Sequence, residues 1–123
     1  MKRFFCLLAL LLAICTAQAA DITSIAGALK SGNSNALSGS MDGTVDLAVP
    51  GETKKCNSGE AVAAMGAFFQ RTKPTGFSVV HHVEKKDNGF FIGKMQTAGG
   101  ELRVNIAYRT DGNKALIQSI RIE

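Results

Sequence analysis

Three turn sequences constrain this chain more than any other feature. Asp87-Asn88-Gly89, Gly99-Gly100 and Asp111-Gly112-Asn113 each interrupt runs in which apolar and polar residues alternate. Asn-Gly, Gly-Gly and Asp-Gly tolerate the positive φ of tight hairpin turns, so they commit the flanking runs to antiparallel pairing. The spacing predicts a four-strand meander over 77–85, 90–97, 101–109 and 115–122. Successive strand residues point to opposite faces. That rule groups Leu102, Val104, Ile106 and Tyr108 on one side, Leu116, Gln118, Ile120 and Ile122 likewise, and His81 with Phe77, Val79 and Val83.

The preceding half reads as helix. Ile22, Ile25, Ala26 and Leu29 form an amphipathic stripe over 21–30, which Ser31-Gly32-Asn33 ends. A second short helix is expected over 34–41 with Ala36, Leu37 and Met41 inward, then a strand over 44–49 with Val45, Leu47 and Val49 on one face. Pro50-Gly51 closes that strand. Asn57 followed by Glu60 is a capping-box variant that opens a long helix over 58–71. Val62, Met65, Phe68 and Phe69 lie on its apolar face, and Lys73-Pro74-Thr75-Gly76 breaks it. Helices on one face of an antiparallel sheet make an α+β domain.

The extreme N-terminus has a different task. Lys2 and Arg3 precede an apolar run over 4–14, followed by Ala17-Gln18-Ala19. This is the pattern of a secretory signal, expected to be cut after Ala19 or Ala20 and leaving residues 20–123 as one domain. Its removal takes away much of the 46% hydrophobic content and two of the fourteen basic residues, against ten acidic ones. The remaining positive charges are scattered rather than gathered with aromatic partners, which excludes a nucleic-acid surface. Cys6 and Cys15 depart with the signal, so Cys56 is the one mature cysteine and no disulfide is expected. Ile14 directly before Cys15 argues against a lipid anchor, and the expected address is the periplasm or the exterior.

Several short words carry a resemblance across the mature chain. They are Leu29-Lys30-Ser31-Gly32-Asn33, Val45-Asp46-Leu47 leading to Pro50-Gly51, Phe68-Phe69, and Pro74, Phe77 and His81. Ile92-Gly93, Thr97, Gly100, Arg103-Val104 and Ile120-Arg121-Ile122-Glu123 continue it. With these words the chain resembles a family of small exported bacterial proteins known as domain of unknown function 4783, within the nuclear transport factor 2-like (cystatin-like) superfamily. The resemblance implies a curved sheet wrapped round a long helix, enclosing a cone-shaped pocket. It implies no activity.

Candidate chemistry is sparse. His81, Tyr108 and Gln118 are polar-tipped members of apolar strand faces, and Met65 and Phe69 would face the same interior. Together they outline a ligand pocket, because polar groups converging on an apolar cavity are what such sites present. Cys56 follows Lys54-Lys55 and precedes a helix start, a setting that favours a reactive thiolate. Adjacent histidines point to opposite strand faces, so His81-His82 is not a metal pair, and no cofactor is expected. The leading expectation is a non-catalytic envelope module that binds a small apolar ligand in its cone or a protein on its sheet. Two rivals stand beside it: an isomerase- or hydratase-like enzyme with His81 as general base and Tyr108 as donor, and a purely structural homodimer formed through the sheet.

Overall fold

The structure is a computed structural model that describes residues 22–123. The expected signal peptide, with Cys6 and Cys15, lies outside the described residues. The chain begins with helix α1 (Thr23–Ser31), which buries Ile25, Ala28 and Leu29. Gly32 ends it at φ 67°, returning its N–H to the Ala28 carbonyl. A left-handed residue is cheapest as glycine, which explains the stop signal. A 3-10 helix (Ser34–Ser40) follows, burying Leu37 as expected but leaving Ala36 exposed.

Strands β1 (Met41–Val49) and β2 (Glu52–Asn57) form a hairpin. Strand β2 was not expected, and its sequence explains why. Thr53, Lys54 and Lys55 are exposed and only Cys56 is buried, so the strand lacks apolar alternation. It lies at the edge of the sheet, where lysines discourage pairing with other chains. Helix α2 (Ser58–Thr72) then starts on the capping box read from the sequence. Glu60 N–H donates to Asn57 Oδ1 at 2.8 Å, and Asn57 N–H to Glu60 Oε1 at 3.1 Å. Its core face is Ala61, Met65, Phe68 and Phe69, with Val62 at the margin.

The meander follows as β3 (Pro74–Glu84), β4 (Asn88–Thr97), β5 (Gly100–Asp111) and β6 (Lys114–Ile122). The six strands are ordered β2-β1-β6-β5-β4-β3. All neighbours are antiparallel except β1 and β6, which run parallel because the long helix lies between β2 and the meander. The helices cover one face, here called inner, and the other, outer face is open.

Two bulges overturn the strict alternation read from the sequence. In β3, Val79 pairs with Gly93 but His81 pairs with Ile92, so Val80 is an extra residue. Every side chain after it changes face, placing His82 beside Phe91 on the inner side and His81 outside. In β6, Ser119 pairs with Ala107 and Ile117 with Tyr108, which makes Gln118 the extra residue. Ile117 therefore joins Ile120 and Ile122 in the core, while Leu116 and Gln118 do not. A bulge puts two residues opposite one, so a period-two reading fails past it.

Candidate functional site

The inner face is filled. Met65, Phe68 and Phe69 from α2 meet Phe91 and Met95 from β4 and Val104 and Ile106 from β5, all within the buried core. Along β4 the inner positions alternate small and large: Gly89, Phe91, Gly93, Met95. The glycines are openings. A side chain at Gly93 would run into the Phe77 ring, and a Cβ at Gly89 would lie 2.5 Å from the Tyr108 hydroxyl. Glycine inside a strand marks such close approaches.

Through the Gly89 opening Tyr108 reaches across β4. Its hydroxyl lies 2.6 Å from His82 Nε2, tying β5 to the edge strand β3. Tyr108 is 1% exposed. Burial first, and the charge of Glu84 second, push its phenol above its ordinary value, so the hydroxyl keeps its proton. The expected partnership of Tyr108 with His81 is thus replaced by one with His82, because of the Val80 bulge.

The next residue does the converse on the outer face. Arg109 Nε donates to Asp42 Oδ2 at 2.7 Å and Nη2 to Oδ1 at 3.2 Å, reaching across β6 to β1. Gln118 Nε2 donates to the same carboxylate at 3.3 Å, and Gly43 N–H to Oδ1 at 2.8 Å. Arg109 and the Gly43 amide hold the Asp42 carboxyl at about 2, well below its ordinary 3.8. Gln118 is therefore a bulge residue that helps clamp two strands, not a member of the interior. Cys56, the anticipated reactive thiol, is 2% exposed in the core opposite Val45. Met65 and Phe69 are packed inside the core, and Phe69 also borders a cleft of about 300 Å³ beside Gly32 and Gly66.

Open surface remains beside α2, where clefts of about 300 and 290 Å³ are lined by Phe69 and Phe68 among others, and on the outer face. Val80, His81 and Val83 of β3 adjoin Phe90 and Ile92 of β4 on the outer face. Val80 is 54% and Phe90 36% exposed, and the His81 and Phe90 rings are 6.1 Å apart. Beside this patch is a groove of about 530 Å³ lined by Val80, His81, Ile92, Lys94, Arg103 and Glu123, among others. Neither the patch nor Asp42–Arg109 was singled out from the sequence. The Gly89-Phe90-Phe91-Ile92-Gly93 run was the available signal, since it places Phe90 and Ile92 opposite the core face.

Comparison with known proteins agrees with this architecture. A family profile described as Domain of unknown function (DUF4783) matches residues 22–123. The crystal structure of a DUF4783 family protein from Bacteroides uniformis is 36% identical, with TM-score 0.77, covering 81% of this chain and 93% of that one. One from Bacteroides ovatus is 35% identical, with TM-score 0.76, covering 81% and 91%. An NTF2-like protein of unknown function from Cytophaga hutchinsonii shares the fold at 15% identity, TM-score 0.58 and coverage of 83% and 84%. No match among curated proteins is found.

Proposed function

The chain belongs to the DUF4783 family, and from that premise we propose that it is an exported, non-catalytic binding module whose working surface is the outer face of β3, β4 and β5. The observation that carries this reading is the exposed Val80–Phe90 patch beside an open groove, on a sheet whose other face is already filled. Exposed apolar residues that adjoin one another on a small domain mark interaction sites, whereas isolated ones do not. Among the described residues, no buried side-chain polar atom lacks a hydrogen bond, so the interior offers a ligand no waiting polar contact. The enzyme reading loses its geometry with the separation of His81 from Tyr108. Export rests on the signal-like N-terminus.

Binding of the apolar dye 1-anilinonaphthalene-8-sulfonate tests the surface. Val80→Asp, at an exposed position, is expected to keep the thermal midpoint and lose the dye. Unchanged dye binding in that variant would place the working surface elsewhere. Export is tested separately by the intact mass of the protein in the exported fraction, which should begin at Ala20 or Asp21.

A further inference from the structure

We propose that the outer-face groove takes an aliphatic monocarboxylate, with the carboxylate against Arg103 and the alkyl chain laid over Val80 and Ile92. This deepens the reading of the outer face as the working surface and rests on it. The groove's volume of about 530 Å³ falls within the range of about 300–1,000 Å³ typical of small-molecule sites. Its apolar part is aliphatic, from Val80 and Ile92, and matches an unbranched chain better than a sugar or a nucleotide.

Charge then selects the head group. Four ionic side chains line the groove: Lys94, Glu101, Arg103 and Glu123. Glu101 is doubly engaged, with Oε1 3.8 Å from Lys94 Nζ and Oε2 accepting from Gln96 Nε2 at 3.0 Å. Glu123 is held by Arg121 Nε at 3.0 Å. Arg103 makes no ion pair among the described residues. One uncompensated guanidinium therefore stands at the apolar floor. A guanidinium offers a planar donor fork that fits a carboxylate. His81, also in the lining, adds a second donor to the same opening.

The other outer-face cleft supplies the contrast. It measures about 330 Å³ and is lined by Asp46, Lys54, Lys55 and Arg121, among others. Lys54 pairs with Glu52 at 3.0 Å, Lys55 with Asp46 at 4.0 Å and Arg121 with Glu123 at 3.0 Å. Every cation there is compensated, and no apolar patch adjoins it. Of these two outer-face clefts, the groove beside β3 is the one that combines an unpaired guanidinium with an exposed aliphatic floor.

Methyl-resolved NMR titration of the purified protein with decanoate, decan-1-ol and decyltrimethylammonium tests this. These probes share a ten-carbon chain and differ in the head. Decanoate is expected to shift the Val80 and Ile92 methyl signals and to bind at least about threefold more tightly than the cation, the scale of one exposed charge contact. Arg103→Gln, a surface change that keeps the fold, should erase that preference. Equal binding of all three probes at Val80 and Ile92, insensitive to Arg103→Gln, would overturn the carboxylate assignment and leave the outer-face reading standing. Shifts confined to core methyls, or no shift with any probe, would overturn both.

Discussion

Tyr108 and Arg109 are neighbours on β5, yet they serve opposite faces of the sheet by opposite means. Tyr108 crosses β4 on the filled side, where a glycine clears its path and a hydrogen bond with His82 ends the reach. Arg109 crosses β6 on the open side, where the bulge residue Gln118 reaches the same carboxylate and an ion pair with Asp42 ends the reach. Both ties skip a strand, so two consecutive residues link β3, β5 and β1. The lesson concerns solvent. The inner tie depends on shape, because a buried phenol has no water to fall back on. The outer tie depends on charge, and solvent weakens it.

Filling the glycine opening should break the inner tie most severely. Gly89→Val places new atoms against the Tyr108 hydroxyl and the Val83 carbonyl, and a loss of about 2–3 kcal/mol is expected in denaturant unfolding. A loss below about 0.5 kcal/mol would mean that the close approach is easily relieved. Tyr108→Phe removes only the hydroxyl and should cost about 1 kcal/mol, the scale of one hydrogen bond. It should also blunt the alkaline limb of stability. The phenol's folded pKa is raised, so its contribution is complete below the ordinary value of 10.0 and is lost as pH rises past the folded value.

The outer tie is expected to give the smaller effect and the opposite pH signature. Asp42 titrates at about 2 in the folded chain against an ordinary 3.8, so its contribution is present above 3.8 and lost as pH falls toward 2. Asp42→Asn should therefore cost at most about 1 kcal/mol at neutral pH and flatten the acid limb of the unfolding curve. The difference should shrink at high salt. An equally steep acid limb in the variant would remove Asp42 from the account. Smallest of all is His81→Ala, which should change stability by less than about 0.5 kcal/mol because the ring is exposed. Its effect should appear instead in groove binding.

The legible parts of this fold are those governed by local chemistry. Gly32, Asn57 with Glu60, and the turns at Gly100 and Gly112 each announce a backbone need that few residues meet, whereas Asn88 and Gly89 lie inside β4 without a positive φ. From them followed the helices, the meander and the α+β class. The inner face of β5 was also legible, since no bulge interrupts its pairing with β4. Positions past a bulge were not. The extra residues Val80 and Gln118 have no compositional mark, so His81 was assigned inward and Gln118 to the interior. Strand β2 was hidden for another reason, as an edge strand with a single inward side chain shows no pattern. The candidate surface was hidden by the Val80 bulge, because strict alternation turns His81 toward the cone and leaves no mark on Val80 and Phe90 as neighbours on the outer face.

Mapping the bound dye by methyl-resolved NMR tests most directly the claim that this protein works with the outer face of a sheet whose inner face is filled. Titration with 1-anilinonaphthalene-8-sulfonate is expected to shift the methyl signals of Val80, Val83 and Ile92, with those of Met65, Met95, Val104 and Ile106 unmoved. Shifts of the latter group would mean that the cone admits a ligand after all, and would contradict the division of labour between the two faces.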